Sequence, residues 1–400
     1  MMNSEKGQAL PLALLALAIG MLIVTPFLGH ADSSLTGSRI YNQEISEQYA
    51  ADAGVEYAIW QLINNQTIVP EFTLNSNTVK VTIEDEGGQI YQITAIATGT
   101  DDSSTIIESR VSYQSSNIFT VGNNGTILCY HANVWSLMLS GTTQQLMSVW
   151  GSSDSDVFAV GNSGTILHCD GTAWSKMTSG TTTALQSVWG SSSNDVFAVG
   201  NSGAISHYDG TTWSKMTSGT TTALQSVWGT ASNDVFAVGN SGTILHYNGT
   251  AWSKMTSGTT NALQSVWGSA DSDVFAVGNS GTILHYGSTA WSKMTSGTTR
   301  NLYGVWGTSS SDAFVVGNSG AIFHYNGIVW SPMTSGTAIN FNSVWGTASS
   351  DVFVVGNSGA IFYYNGTIWS PMNSGIARNL QGIWGSSDRG KLKILTYNIQ

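Results

Sequence analysis

The sequence predicts a mainly β protein: a seven-bladed β-propeller preceded by a long N-terminal α-helix and a small antiparallel sheet. Two tryptophan series recur every 39 residues, and each repeat holds four short apolar or alternating segments separated by Gly, Asp and Asn. An uncharged apolar segment opens the chain. Four short strands in roughly 40 residues is the size of a propeller blade, whereas helical repeats need a 3.6-residue period and few glycines.

The composition of the chain limits its partners. Of its 400 residues 41% are hydrophobic and only 9% are charged, while 45 are glycine, which suits a β protein rich in turns. The net charge is -11 and there is no basic cluster, so we expect no nucleic-acid partner. Cys129 and Cys169 fall one position apart on equivalent strands of the repeat, so a disulfide between them is not expected.

The first 31 residues read as a membrane or export segment. Residues 9–28 carry no charge, and as a helix they would span ~30 Å, the thickness of a bilayer core. A secretory signal cut after Ala31 is the competing interpretation. The apolar run is longer than the usual signal core of roughly 7–15 residues, which argues against it.

A resemblance bears on the same segment. EKGQALPLALLALAIG resembles the leader junction of type IV pilin-like proteins. The resemblance implies a leader of residues 1–7, cleavage between Gly7 and Gln8, and a helix within residues 8–64 that also contacts other pilin subunits. Leu12 stands where major pilins carry a glutamate, so the resemblance implies a minor pilin or pseudopilin.

A helix and a small sheet are expected next. Apolar residues recur at three- and four-residue steps, with acidic residues between them, at Tyr41, Ile45, Tyr49, Ala53, Ile59 and Leu62. Residues 65–115 then alternate apolar and polar side chains in VKVTIEDEG, GQIYQITAIATGT and TIIESRVSYQ, which predicts three antiparallel strands. A long helix on such a sheet is also what the pilin-like resemblance implies.

The repeats occupy residues 117–386. The array opens on the second strand of a blade and closes on the first strand of a blade. We therefore expect residues 381–385 to complete the sheet begun by residues 117–139 and to close the ring. Asp209-Gly210 is expected to form a two-residue hairpin turn with positive φ at both positions. The fourth segment carries Lys or Pro at one position and is expected to be the outer edge of each blade.

These repeats resemble, in GNSGTILHYDGTAWSKMTSGTTTALQSVWG, the repeats of photosystem II assembly-factor propellers and, more distantly, the Asp-box repeats of sialidases. The resemblance implies a fold more firmly than an activity, because propellers serve many functions. A sialidase needs a cluster of arginines, yet residues 117–386 contain only Arg300 and Arg378, and no glutamate follows Glu108. Glycoside hydrolysis is therefore the least favoured function, and we expect that the protein is not an enzyme.

Two repeated polar positions are expected to be structural. In six of the seven repeats an aspartate precedes a strand, where a carboxylate satisfies local backbone donors. These are Asp156, Asp195, Asp234, Asp273, Asp312 and Asp351. A histidine series invites a metal hypothesis, but its members lie on different blades and cannot converge on one ion. Packing between blades is favoured for these histidines. We expect no metal and no cofactor. The series comprises His168, His207, His246, His285 and His324.

The turn after SGT varies from blade to blade although its flanks hardly change. Its variable residues Arg300, Ile339, Phe341 and Arg378 are predicted to form a ligand-binding patch, against the alternative of drift in a tolerant loop. The ligand would be a protein or a glycan. Residues 387–400 fall outside the repeat, and LKILTYNIQ is predicted to return to the small sheet as its last strand.

Together these features predict a non-enzymatic, minor pilin-like protein of the cell envelope. It would be held by a single inner-membrane span with an exported C-terminal region, or lie in a pilus or on the cell surface, and display the propeller for adhesion or protein binding. The alternative is an exported assembly-factor or sensor propeller of the envelope that binds a protein partner.

Overall fold

The computed structural model describes residues 35–64, 69–87, 90–100, 102–113, 117–131, 133–386 and 392–400. The chain divides into two compact units, residues 1–115 with 390–400, and residues 116–389. The predicted leader, the cleavage position at Gly7 and Gln8, and the apolar segment 9–28 all lie outside the described residues. No helix in the described ranges combines the length and the apolarity needed to span a membrane.

In its described residues, the first unit has a helix packed on an antiparallel sheet. The sheet order is β1-β2-β3-β4-β33, so the C-terminal strand lies beside β4, with Leu392 opposite Tyr113 and Ile399 opposite Ile107. β1 adds a strand to the three that alternation predicts in this region. The elements are α1 (Leu35–Asn64), β1 (Glu71–Leu74), β2 (Asn77–Gly87), β3 (Ile90–Thr98), β4 (Ser104–Tyr113) and the last strand of the chain, β33 (Leu392–Ile399).

The buried face of α1 differs from the predicted one. Tyr49, expected to be buried, is 56% exposed, while Ala50, Ala51, Val55 and Ala58 are buried. Small side chains face the sheet because the helix lies close to it: a Cβ on Gly54 would come within 2.9 Å of both Ala95 and Val79. Tyr49 fits the helical spacing but is too large for this contact.

The second unit consists of seven four-stranded antiparallel sheets, which we call blades 1 to 7. Blade 1 is formed by β32, β5, β6 and β7, and blades 2 to 7 each take four consecutive strands. Each strand is therefore described by its rank within its blade.

The first strands are β8 (Leu146–Ser153), β12 (Leu185–Ser192), β16 (Leu224–Ala231), β20 (Leu263–Ala270), β24 (Leu302–Ser309), β28 (Phe341–Ala348) and β32 (Leu380–Gly385). The second strands are β5 (Ile118–Gly122), β9 (Asp156–Gly161), β13 (Asp195–Gly200), β17 (Asp234–Gly239), β21 (Asp273–Gly278), β25 (Asp312–Gly317) and β29 (Asp351–Gly356). A short 3-10 turn of sequence NNG or NSG follows each second strand.

The third strands are β6 (Ile127–His131), β10 (Ile166–Cys169), β14 (Ile205–Tyr208), β18 (Ile244–Tyr247), β22 (Ile283–Tyr286), β26 (Ile322–Tyr325) and β30 (Ile361–Tyr364). The fourth strands are β7 (Val134–Met138), β11 (Trp174–Met177), β15 (Trp213–Met216), β19 (Trp252–Met255), β23 (Trp291–Met294), β27 (Trp330–Met333) and β31 (Trp369–Met372). The fourth strand is the outer edge of each blade. In six of the seven blades it carries a Lys or Pro that discourages further pairing, and Leu137 takes that position in blade 1.

The last repeat strand pairs with the first. β32 lies antiparallel to β5, with Gly385 opposite Ile118 and Leu380 opposite Gly122. The hydroxyl of Thr120 donates a buried hydrogen bond of 2.8 Å to the carbonyl oxygen of Gly382. Thus residues more than 250 positions apart share one sheet.

Aromatic side chains form the core between blades. Phe158 is almost wholly buried, stacks on Trp150 of its own blade with ring centroids 6.4 Å apart, and meets the edge of Trp213 from the next blade at 6.2 Å. The two tryptophan series thus have separate roles. The first packs on the phenylalanine of its own blade and against a glycine of the following blade, and the second packs across to the preceding blade.

The hairpin turn between third and fourth strands differs from the expected one. It contains four residues, 209–212, and only Gly210 has positive φ, at 90°. Asp209 instead accepts hydrogen bonds from the backbone of Thr211 and Thr212, at 2.9 and 2.8 Å. A hydrogen bond from the Thr211 hydroxyl, together with these two backbone bonds, lowers the pKa of Asp209 to about 2. The turn is therefore stabilised by the Asp209 side chain and not by a second residue with positive φ.

Cys129 and Cys169 are both buried and free. They belong to the same apolar cluster at blades 1 and 2, although the strand alternation places them on opposite faces of their own sheets. Burial, reinforced by the charge of Asp154, raises the pKa of the Cys129 thiol to about 12. Such a thiol is protonated at neutral pH and is a poor nucleophile.

Candidate protein-binding face

The two ends of the blades differ in charge. The connections between first and second strands and between third and fourth strands lie at one end, which we call the acidic end. All ten aspartates of residues 117–386 are in or next to these connections: Asp154, Asp156, Asp170, Asp195, Asp209, Asp234, Asp271, Asp273, Asp312 and Asp351. The SGT loops and the NSG turns lie at the other end, which we call the amide end.

The histidine series lies at the acidic end and pairs within blades. His246 Nε2 lies 2.6 Å from Asp234 Oδ1, and the histidines of blades 2, 3, 5 and 6 make the same contact at 2.6–2.7 Å. The ring also lies on Phe236, with centroids 4.5 Å apart. Packing between blades was therefore the wrong interpretation, because each histidine bonds to the aspartate of its own blade.

The repeated aspartates hold side chains rather than backbone donors. Asp234 also accepts a hydrogen bond of 2.5 Å from the hydroxyl of Thr230. The carboxylate thus joins the end of the first strand to the third strand of the blade. Within the described residues, no three His, Cys, Asp or Glu side chains are grouped so as to hold a metal ion.

A cavity of about 430 Å³ opens among the first strands at the amide end. Its wall includes the second residue of every first strand, so all seven blades contribute. Five of these residues are amides and the other two are Met147 and Tyr303; the amides are Gln186, Gln225, Gln264, Asn342 and Gln381.

Hydrogen bonds fix the orientation of these amides. The Nε2 of Gln225 donates to the side-chain oxygen of Asn240 in the NSG turn, at 3.2 Å, and the other four amides bond to the equivalent asparagine at 3.1–3.3 Å. One amide N–H of each pair is thereby used. The carbonyl oxygen and the second N–H of a glutamine can each form further bonds. The cavity wall therefore offers both donors and acceptors in fixed positions.

A layer of serines lies beside the amides and links the blades. The hydroxyl oxygen of Ser187 accepts a hydrogen bond of 3.2 Å from the backbone N–H of Val227 in the next blade. The same contact runs from Ser148 to Val188, from Ser226 to Val266 and from Ser265 to Val305, at 3.2–3.3 Å. These bonds connect blades 2 to 6 and make the cavity wall rigid.

Three of the four predicted patch residues lie in the SGT loops of consecutive blades. Arg300 is exposed, and its Nη1 donates to the carbonyl oxygen of Ser319 at 3.3 Å. Arg378 is also exposed, and its Nη1 lies 3.4 Å from the hydroxyl of Thr126. Ile339 is half-buried, and its carbonyl oxygen accepts a bond of 2.7 Å from Gly320. Each loop is thus bonded to a neighbouring turn.

Phe341 is not available to a ligand. Its side chain is 0% exposed and meets the ring of Phe362 at 5.4 Å within the core of blades 6 and 7. It occupies the position that a leucine fills in the other six first strands. Its inclusion in the patch was therefore wrong: the residue marks the beginning of the strand and not the variable loop.

The amide residues of the cavity wall were not predicted from the sequence. Gln recurs after the buried leucine in LQSVWG, in three consecutive repeats and again at Gln381. The signal in the sequence would have been an uncharged polar residue that follows a buried residue on an inner strand. What could not be foreseen is that the seven positions meet around one cavity.

The fold defines this part of the chain as a β-propeller of four-stranded blades. Solved propellers are similar to it in structure. "YCF48 bound to D1 peptide" matches with a TM-score of 0.50 and 16% identity, over 65% of this chain and 84% of that one. The WD40 propeller domain of Doa1 matches with a TM-score of 0.53 and 14% identity, over 68% and 95%. The WD40 repeats of RRP9 match with a TM-score of 0.51 and 8% identity, over 66% and 85%.

At these identities the similarity shows the fold. The sequence matches no protein-family model and no curated protein. The similar structures support a propeller fold. They give no support to the pilin-like resemblance of the N-terminal segment.

Proposed function

We propose that the chain is a non-enzymatic protein-binding module, a closed seven-bladed propeller that takes an extended, acidic or C-terminal peptide segment at its amide end. The observation that carries the proposal is the cavity whose wall presents oriented amides from five blades. Peptide main chain needs paired donors and acceptors, and side-chain amides supply both. A similar propeller, "YCF48 bound to D1 peptide", binds a peptide.

Charge supports an acidic segment. Arg300 and Arg378 lie at the amide end, and the ten aspartates of residues 117–386 lie at the other. A guanidinium carries five N–H donors, and the bonds to Ser319 and Thr126 orient each group while using one of them. Two guanidinium groups on rigid loops, separated by the loop that holds Ile339, suit a carboxylate. A glycan remains the second class of ligand predicted from the sequence.

The first test is a peptide array with free or amidated C-termini, probed with the full chain. We expect acidic peptides with free carboxylates to bind, and Arg300→Ala with Arg378→Ala to weaken the best of them about tenfold or more, since a charge-assisted hydrogen bond contributes ~1.5–3 kcal/mol. Lys215→Ala removes a positive charge from a fourth strand and should leave the affinity unchanged. Equal affinity in the arginine variant would reject the patch.

We propose also that the propeller lies in the cell envelope and is held there by the N-terminal segment, as a minor pilin-like protein. The apolar segment 9–28 and the junction at Gly7 and Gln8 support this placement. Mass spectrometry of the mature protein tests it. We expect an N-terminus at Gln8, whereas an N-terminus at Asp32 would indicate a cleaved secretory signal and favour the exported assembly-factor or sensor propeller.

A further inference from the structure

A second cavity of about 430 Å³ lies at the acidic end of blades 6, 7, 1 and 2. Its wall contains the indoles of Trp306, Trp345 and Trp384, together with the hydroxyl residues that follow the next glycine in each first strand. It is chemically unlike the cavity at the amide end, which has no indole in its wall. The volume is that of a site for a small ligand or a single side chain.

Contacts between blades hold the indoles in place. A Cβ on Gly346 would lie 2.8 Å from Cη2 of Trp306, and a Cβ on Gly385 would lie 2.6 Å from Cη2 of Trp345. Trp384 takes the same position over Gly151, at 2.7 Å. Each indole edge is thus fixed against the backbone of the following blade. A rigid aromatic wall binds a ligand without first having to be ordered.

Three of the four hydroxyl groups of the wall donate their proton to an aspartate. Thr347 donates its proton to Asp351 at 2.6 Å, and Ser152 donates to Asp156 at 2.5 Å. Thr308 donates in the same way to Asp312. Since a hydroxyl has one proton and two lone pairs, these three oxygens can act towards a ligand as acceptors. The carboxylates behind them add negative charge.

We propose that this cavity binds an alkylammonium group, as in a quaternary ammonium compound or a methylated amine. Indole faces carry a negative quadrupole that attracts such cations, with ~0.5–2 kcal/mol for each favourable contact. Acceptor oxygens and the field of the aspartates act in the same direction. Among the described residues, no lysine or arginine is part of the wall. An anionic ligand would find no positively charged group among these residues.

The experiment titrates the full chain with choline and, separately, with 3,3-dimethylbutan-1-ol, which has the same shape without the charge. Binding is followed by tryptophan fluorescence and by calorimetry. We expect saturable binding of choline and an affinity for the neutral probe about tenfold lower, the ratio that ~1.4 kcal/mol of cation–π and electrostatic attraction would give. Equal binding of the two probes, or no binding of choline, would overturn the proposal.

Variants of one residue type provide the matched control. Thr308→Val and Thr347→Val remove wall oxygens, while Thr230→Val removes the same bond, to Asp234, in blade 4 and away from the cavity. We expect the first two to weaken choline binding several-fold and the third to leave it unchanged. Equal loss in all three would show a general structural effect and refute the assignment. Arg300→Ala should not alter choline binding, which separates this site from the amide end.

Discussion

A chain that ends before Leu380 should lose the cooperative unfolding of its propeller. Removing residues 380–400 deletes β32, so blade 1 keeps three strands and β5 is left with one unpaired edge. Leu380 and Ile383 are at most 6% exposed, and each buried side chain of this size stabilises by ~1.5–3 kcal/mol. With the lost strand pairing, the total approaches the ~5–15 kcal/mol by which a native domain is stable.

Both neighbouring blades would be affected. Trp384 rests on Gly151 of blade 2, Trp345 rests on Gly385, and Asn342 donates to the carbonyl oxygen of Leu380 at 2.7 Å. Loss of these three contacts exposes apolar surface on blades 7 and 2 as well as on blade 1. We therefore expect a broad transition, or none, in a thermal melt followed by tryptophan fluorescence, because 14 of the 15 tryptophans lie in the repeats.

The matched control ends at Ser386. That truncation removes β33 from the sheet of the first unit and leaves all of β32 in blade 1. It should keep a sharp propeller melt, with any change confined to the first unit and its single tryptophan, Trp60. A sharp, unshifted melt in the shorter chain would contradict the pairing of β32 with β5.

How far the sequence predicts this molecule depends on the kind of contact. The tryptophan period and the Gly and Asp positions predict four-stranded blades, since strand length, alternation and turns are local properties. The offset of the first and last repeats predicts that residues 381–385 lie beside residues 117–139, because an unpaired inner strand would be left otherwise. β32 and β5 do pair in that way.

Contacts that depend on side-chain size and on convergence in space were harder to predict. Tyr49 fits the helical spacing but is displaced from the interface by alanines, because the helix approaches the sheet too closely for a ring. Phe341 follows a variable loop by one residue, and that single step moves it from the surface into the core. The shared position of Gln186 and its equivalents in one cavity wall follows from the way the first strands meet, which local sequence does not specify.

Gly239→Ala should be among the most damaging single substitutions in the propeller. Gly239 ends a second strand with φ of -169°, an extended conformation that any residue adopts. The constraint is space: an added Cβ would lie 2.1 Å from the carbonyl oxygen of Ala223 and 2.9 Å from the Cα of Leu224. Both are backbone atoms of the adjacent first strand and cannot rotate away. We expect a loss of about 3 kcal/mol in the free energy of unfolding, the upper range for forcing atoms into a packed site.

Gly258→Ala provides the comparison. Gly258 lies in an SGT loop with φ of 70°, and a Cβ there would meet nothing within 4 Å. Its cost is only that of a left-handed conformation, ~1–2 kcal/mol. Denaturant unfolding of the two variants measures the difference, and an equal or larger loss in Gly258→Ala would contradict the steric argument. A Cβ would come within 2.0–2.2 Å of the carbonyl oxygen of the residue just before the first strand at six further glycines: Gly122, Gly161, Gly200, Gly278, Gly317 and Gly356. All seven blades therefore keep glycine here because the second strand ends against backbone, and one methyl group would separate the strands that line the amide cavity.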